Sequence, residues 1–337
     1  MADLTTTYCG LTLRSPLVPS SSPLTGNLDD ARRLEDAGAA ALILPSLFEE
    51  ELIHEQEHLH RFVDLQDIGH HEADSFLPTA HALASKLDHT LETIDRYKQS
   101  LAIPVIGSLN GVTDSGWIEY ARDLQAAGCD ALEINLYGVN ADCSDSSADI
   151  EARYQHLVRE LVNGVSVPVV VKLSSQFTGV AHFVAGLEQA GAAGVSLFNR
   201  FYQPDIDLNT LEIKPCLSLS GPQEALLRIR WLAMLRPQVQ LTLAATGGFH
   251  DGPTVLKALL AGADVVHLCS VLLQQGIGAI GAIESAMAQW LEEQEYDSVK
   301  QLQGSLSYGK AVNPGAYERA NYLEVLDSYT PSRGVRV

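Results

Sequence analysis

Ala127-Gly128-Cys129-Asp130-Ala131-Leu132-Glu133-Ile134 carries the phrase on which the fold turns: a helix-like stretch closes in Ala-Gly and an apolar strand begins. The phrase recurs as Ala37-Gly38 before Ala41-Leu-Ile-Leu44, Ala190-Gly191 before Val195-Ser-Leu-Phe198, and Ala261-Gly262 before Val265-Val-His-Leu268. Glycine just past a helix end takes the left-handed conformation without a Cβ penalty, and the small residue beside it lets the strand start close by. A second phrase alternates with the first, a strand introduced by proline: Ser15-Pro16-Leu17-Val18, Ile103-Pro104-Val105-Ile106 and Val167-Pro168-Val169-Val170, with Val239-Gln240-Leu241-Thr242 as a version without proline. Proline is tolerated at the first residue of a strand. Interleaved, the two phrases predict strands near 17–20, 40–44, 105–109, 131–135, 169–172, 194–198, 241–245 and 265–268. Eight parallel strands separated by helices in 337 residues predict an α/β fold of the (β/α)8 TIM barrel type with insertions at its C-terminal mouth, rather than an open doubly wound sheet. Residues 1–337 read as one domain.

Composition narrows the class. A hydrophobic fraction of 46% with 19% charged residues is that of a globular protein with a full core. A formal net charge of -20 argues against nucleic acid or anionic lipid, either of which would need a basic stripe, so small molecules or other chains are the expected partners. Met1-Ala-Asp-Leu-Thr-Thr-Thr has no basic and apolar leader, and no apolar run reaches the length of a membrane span, so a cytoplasmic location is expected. The five cysteines stand far apart with no Cys-x-x-Cys, which encodes neither a zinc knuckle nor an iron–sulfur cluster.

In such a barrel the chemistry sits at the C-terminal ends of the strands. Here those ends read Ser20-Ser21-Ser22, Pro45-Ser46, Ser108-Leu109-Asn110, Asn135, Lys172 with Ser174-Ser175, Asn199-Arg200, Thr246-Gly247-Gly248 and Cys269-Ser270. Three asparagines and one lysine suit a flat, hydrogen-bonding ligand more than a metal, and no pair of acids stands at these ends. Thr246-Gly247-Gly248 and Cys269-Ser270 follow the last two strands, where backbone N–H groups freed by glycine approach a phosphate in barrels of this kind. A plain tight turn is the other reading of Thr-Gly-Gly.

Taken in order and spacing, these segments resemble the dihydroorotate dehydrogenase family of FMN-dependent barrels over nearly the whole chain. The family's opening Asn-Pro, three residues and Ala-Ser-Gly is matched by Ser15-Pro16-Leu17-Val18-Pro19-Ser20-Ser21-Ser22, and its Asn-Leu-Ser-Cys-Pro-Asn by Asn135-Leu136-Tyr137-Gly138-Val139-Asn140. Val171-Lys172-Leu173, Asn199, Leu219-Ser220-Gly221, Ala245-Thr246-Gly247-Gly248, Tyr308-Gly-Lys-Ala and Tyr317-Glu-Arg-Ala-Asn-Tyr322 follow the family's pattern too. The resemblance implies FMN, bound by Ser20, Ser21, Ser22, Ser46, Asn135, Lys172, Ser220, Gly221, Thr246, Gly247, Gly248, Cys269 and Ser270. It implies a substrate held by Asn140 and Asn199, whose amides offer both a donor and an acceptor to a dihydropyrimidine. Lys172 would stabilise the negative charge that builds up when the flavin is reduced. Cytosolic relatives are often dimers, so a homodimer is implied, and the membrane-docked kind is not expected in a chain whose first strand starts so early.

Three departures stand out. The family's proton-abstracting cysteine or serine falls, by register, on Gly138, which has no side chain to act as a base. Cys143, in Asn140-Ala-Asp-Cys-Ser-Asp-Ser-Ser147, is the nearest candidate, with Ser144 and Tyr137 behind it; an exposed loop thiol between Asp142 and Asp145 is its plain alternative. A family lysine after the second strand is Pro45, and the Asn-containing loop that meets the substrate carboxylate is replaced by His70-His-Glu-Ala-Asp-Ser-Phe-Leu-Pro78. FMN binding is therefore read more firmly than dihydroorotate as the substrate, and another small dihydro or unsaturated compound stays open. So do a colourless aldolase or lyase using Lys172 as a Schiff-base amine, and a flavin-binding protein without catalysis.

His54-Glu55-Gln56-Glu57-His58 matches His-Glu-x-x-His, but its acid-rich surroundings read as a solvated helix and no metal site is assigned. The segment from Glu49 to Ala102 exceeds a single crossover and is expected to hold a helix, a loop across the mouth near 68–78 and a helix over 79–100. Tyr202–Ser218 is expected to be a hairpin insertion.

Overall fold

Four glycines set the corners of the barrel. In the computed structural model, which describes residues 2–55, 85–111, 114–318, 322 and 325, Gly38, Gly128, Gly191 and Gly262 have φ of 116°, 106°, 97° and 132°, a region that L side chains rarely enter. Each turns a helix end into the next strand as the Ala-Gly phrase requires. Carboxylates near the same joints fix the neighbouring strand starts. Asp130 accepts the Val105 N–H at 2.7 Å, Glu188 the Gln240 N–H at 2.6 Å, and Asp264 the Leu243 N–H at 2.8 Å.

The strands are β1 (Thr6–Tyr8), β2 (Leu11–Leu13), β3 (Leu17–Pro19), β4 (Leu42–Ile43), β5 (Leu47–Phe48), β6 (Val105–Asn110), β7 (Ala131–Leu136), β8 (Val169–Leu173), β9 (Gly194–Leu197), β10 (Asp205–Asp207), β11 (Glu212–Lys214), β12 (Thr242–Thr246) and β13 (Val265–Leu268). The helices are α1 (Leu28–Asp36), α2 (49–55), α3 (Lys86–Ser100), α4 (Asp114–Ala126), α5 (Ser147–Gly164), α6 (Val180–Gln189), α7 (Ala225–Leu235), α8 (Gly252–Ala261), α9 (Ser270–Gln275), α10 (Ala279–Glu293) and α11 (Val299–Leu302). The main sheet runs β3-β13-β12-β9-β8-β7-β6-β4, with β5 also paired to β6. Every ladder within it is parallel. The Ala40 N–H donates to the Leu17 carbonyl at 3.0 Å across the remaining gap, so the eight strands wrap into a (β/α)8 barrel.

Alternation along the strands divides the core in two. Leu17, Leu42, Val105, Leu132, Val169, Val195, Leu243 and Val266 pack outward against the helices. Val18, Ile43, Ile106, Ala131, Val170, Ala244 and Val265 fill the barrel interior, closed from below by Tyr8, Cys9 and Leu13 of the β1–β2 hairpin. The Thr6 hydroxyl donates to the Asp264 carbonyl at 2.8 Å and the Cys9 N–H to Thr242 Oγ1 at 3.0 Å, which ties this plug to the barrel floor. Sequence patterning did not foresee the hairpin; its three-residue strands are too short to show a period.

The insertion at Tyr202–Ser218 does form a hairpin, β10–β11, with Ile206 paired to Ile213 and both exposed. Helix α3 is capped by Ser85, whose hydroxyl accepts the Asp88 N–H while the Asp88 carboxylate accepts the Ser85 N–H. Residues 79–84, the expected mouth loop near 68–78, and Gln56-Glu57-His58 of the His-Glu-x-x-His match lie outside the described residues. His54 and Glu55 are exposed on α2, and no group of three or more candidate metal ligands occurs among the described residues. None of the described helices is long and apolar enough to cross a membrane.

Candidate active site

Two residues beyond seven of the eight interior positions the barrel becomes polar, the exception being Ile43, which is followed by Pro45. Val18 gives way to Ser20, Ile106 to Ser108, Ala131 to Glu133, Val170 to Lys172, Gly194 to Ser196, Ala244 to Thr246 and Val265 to His267, and all seven polar side chains are buried. Above this layer opens a cavity of about 730 Å³, within the range of small-molecule and cofactor sites. Ser20, Ser21, Ser22, Ser46, Asn135, Lys172, Asn199, Ser220, Thr246, Gly247, Gly248, Cys269 and Ser270 all line it. Residues from the ends of β3, β7, β8, β9, β12 and β13 therefore converge in one chamber.

One wall is a continuous hydrogen-bonded chain. The Ser46 N–H donates to Ser21 Oγ at 3.1 Å, and the Ser46 and Ser108 hydroxyls lie 2.7 Å apart. The Asn135 amide donates to Ser46 Oγ and Ser108 Oγ at 3.1 and 3.2 Å, and accepts from Asn199 Nδ2 at 3.2 Å. The Asn199 carbonyl oxygen in turn accepts the Arg200 N–H at 2.9 Å. Each amide is thus held in one orientation. The Cys269 thiol reaches the Ser21 carbonyl at 3.9 Å, and burial pushes its pKa up despite the Lys172 charge.

The floor carries an ion pair. Lys172 Nζ lies 3.1 Å from Glu133 Oε1, and Glu133 is fully buried. Glu133 Oε2 has no hydrogen-bond partner and sits 3.7 Å from His267 Nδ1. His267 lies between the Ser196 and Tyr8 hydroxyls, each at 3.3 Å. Burial lowers its pKa to about 4, against an upward pull from Glu133 and a further downward push from Lys172, so the imidazole is neutral near pH 7. Burial also raises the Tyr8 phenol well above its ordinary value. With neutral imidazole and phenol, Lys172 and Glu133 balance each other, the condition for keeping charges inside a barrel.

At the opposite end, three loops knot together. The Ser220 and Ser270 hydroxyls are 2.8 Å apart, the Ser220 N–H donates to Ser270 Oγ at 3.1 Å, and the Gly248 N–H donates to Ser220 Oγ at 3.2 Å. Gly247 and Gly248 have φ of 92° and 93°. A Cβ on Gly248 would stand 2.4 Å from the Ala225 backbone nitrogen, so the loop lies flat against the start of α7. Behind it Arg228 is buried and donates to the carbonyls of Thr246 at 3.0 Å, Glu224 at 2.9 Å and Phe198 at 3.2 Å. Burial depresses its pKa, but Glu224 pulls it upward.

Three expected site residues lie elsewhere. Gly221 is next to the knot but does not line the cavity, and its N–H goes to Glu224 Oε1 at 3.0 Å. Asn140 and Cys143 are exposed in the loop between β7 and α5, outside the lining, and the Ser144 hydroxyl there donates to Asp142 at 2.7 Å. Sequence reasoning did not single out His267, which lines the cavity, or Glu133 and Arg228, which hold Lys172 and the Thr246 carbonyl from behind it. Two-residue alternation could have found the first two, since Glu133 precedes Asn135 and His267 precedes Cys269 on inward positions; for Arg228 no sequence signal existed.

The comparisons with known proteins agree with this geometry. The dihydroorotate dehydrogenase family model matches residues 79–291, more than half of the chain. A relative from Lactobacillus helveticus, dihydroorotate dehydrogenase A (fumarate), is 28% identical over 213 residues, 61% of this chain and 68% of its own. The catalytic subunit of dihydroorotate dehydrogenase B (NAD(+)) from Thermoplasma acidophilum is 25% identical over 322 residues, 90% and 99% of the two chains. The PreA subunit of the NAD-dependent dihydropyrimidine dehydrogenase from Escherichia coli K12 is 22% identical over 331 residues, 90% and 76%. With the barrel, the polar mouth and a match over most of its length, this chain belongs to the dihydroorotate dehydrogenase family and is an oxidoreductase of the dehydrogenase type.

Proposed function

We propose that the protein, a single barrel domain over residues 1–337, is an FMN-dependent dehydrogenase acting on a CH–CH bond of a small dihydro compound, with dihydroorotate as the first candidate. The observation that carries this reading is the convergence of twelve of the thirteen residues expected to hold the cofactor in one 730 Å³ cavity. The residues present fit FMN. The serine and asparagine chain offers donors and acceptors to a flat ring system. The knot of Ser220, Gly248 and Ser270, backed by the Arg228 guanidinium, is a polar end of the kind a phosphate takes.

Bound there, FMN supplies two-electron oxidation of a carbon–hydrogen bond. The chain's own part is positioning and charge. Lys172, held by Glu133 at the cavity floor, would supply a positive charge to stabilise the negative charge that a bound cofactor gains on reduction. Asn135 and Asn199, locked to each other, orient ring and substrate amides. His267, being neutral, does not repel Lys172.

The test is the visible spectrum of the purified protein before and after anaerobic addition of dihydroorotate, with dihydrouracil as a second probe. A flavin spectrum bleached by dihydroorotate establishes the dehydrogenase. Bleaching by dihydrouracil alone reassigns the substrate. Colourless protein that does not take up FMN refutes the reading.

A further inference from the structure

We propose that Tyr137 is the acid–base residue of this site, carrying the proton that the side chain at position 138 carries in the family pattern; this rests on the FMN dehydrogenase reading above. The argument starts from alternation along β7. Glu133 and Asn135 face the barrel interior, Ile134 and Leu136 pack outward, and the next inward position, Tyr137, lines the cavity. A Cβ built at position 138 would lie 2.4 Å from the Tyr154 hydroxyl of α5, so a side chain there would have to displace that hydroxyl, and Gly138 is not among the residues that line the cavity. The base was not simply deleted from the cavity; the neighbouring residue stands in it.

Several other proton-carrying groups that line the cavity are engaged elsewhere or shifted. Lys172 is paired with Glu133, and Lys86 with Glu51. His250 engages the Ser220 carbonyl at 2.9 Å, at the polar end of the cavity. His267 is enclosed by Tyr8 and Ser196 below the floor. Burial raises both the Cys269 thiol and the Tyr202 phenol. Tyr137 is held for use: its ring packs on Phe201 with centroids 4.5 Å apart, and its hydroxyl oxygen accepts the Tyr202 N–H at 3.3 Å.

The step balances simply. In oxidation, the Tyr137 phenol would first release its proton to solvent; the phenolate would then take a proton from one carbon of the substrate while the adjacent carbon loses a hydride to FMN, leaving a carbon–carbon double bond, the neutral phenol and the reduced cofactor. In reduction, Tyr137 gives its proton and the reduced flavin gives the hydride.

The experiment is anaerobic stopped-flow bleaching of the FMN-loaded protein by dihydroorotate and by dihydrouracil, in wild type, Tyr137→Phe and Cys143→Ala, with FMN affinity and melting temperature measured alongside. Tyr137→Phe keeps the ring contact with Phe201. It is expected to bind FMN within about twofold of wild type, melt within about 2 °C and bleach about 10²-fold or more slowly. Bleaching at the wild-type rate in Tyr137→Phe overturns the proposal and leaves the dehydrogenase standing, as does a loss confined to Cys143→Ala. Wild type that bleaches with neither compound fails the functional reading itself and takes the proposal with it.

Discussion

Replacing His267 with Gln tests the charge balance of the barrel interior. The imidazole is fully buried and its pKa falls from 6.5 to about 4, chiefly through burial. A group whose folded pKa lies below its unfolded value contributes stability above the unfolded pKa and loses it as pH falls, because the unfolded chain binds the proton first. The gap between 6.5 and about 4 corresponds to about 3 kcal/mol in full, of which about 2 kcal/mol is already lost at pH 5. Glutamine keeps hydrogen-bonding capacity toward Tyr8 and Ser196 and has no proton to gain. Urea unfolding followed by circular dichroism at pH 7, 6, 5 and 4 should therefore show wild type losing about 2–3 kcal/mol more than His267→Gln across that window. The other acids are common to both proteins, so the difference isolates the imidazole. Parallel loss in the two proteins would show that His267 is not held neutral, and the argument for an electroneutral floor would fail.

Lys172→Ala leaves Glu133 charged and unpaired, which should destabilise the fold by about 3–5 kcal/mol and slow flavin reduction about 10²-fold; adding Glu133→Gln should restore most of the stability but not the rate, read by melting and anaerobic bleaching. Gly248→Ala forces a Cβ toward the Ala225 backbone at a φ of 93°, so it should cost about 2 kcal/mol or more and weaken FMN binding by fluorescence titration; an unchanged affinity would remove the loop from the cofactor site. Gly138→Ala should be destabilising in wild type and nearly neutral in Tyr154→Phe, a coupling of about 1 kcal/mol or more in a double-mutant cycle that vanishes if position 138 is open.

The sequence by itself determined the barrel and most of its mouth. Ala-Gly and Pro punctuation is local chemistry: a left-handed glycine and a missing N–H act within a few residues, so strands predicted at 105–109, 131–135, 169–172 and 265–268 match β6, β7, β8 and β13 within one residue at their ends. Because a parallel strand can deliver side chains to the mouth only from its C-terminal end, the strand ends point to Ser46, Asn135, Lys172 and Asn199, all of which line the cavity, whereas Ser220 follows only from the family resemblance. Tertiary structure alone decided what those residues do to one another. The pairing of Lys172 with Glu133, 39 residues away, depends on the register of β7 against β8. The seating of Arg228 behind Gly247 depends on how α7 packs on β12 and β9. The placement of Tyr137 in the cavity lining, with Gly138 and Cys143 outside it, depends on which way the chain leaves β7, and the Tyr154 hydroxyl against position 138 comes from α5, contacts between segments that no local pattern encodes.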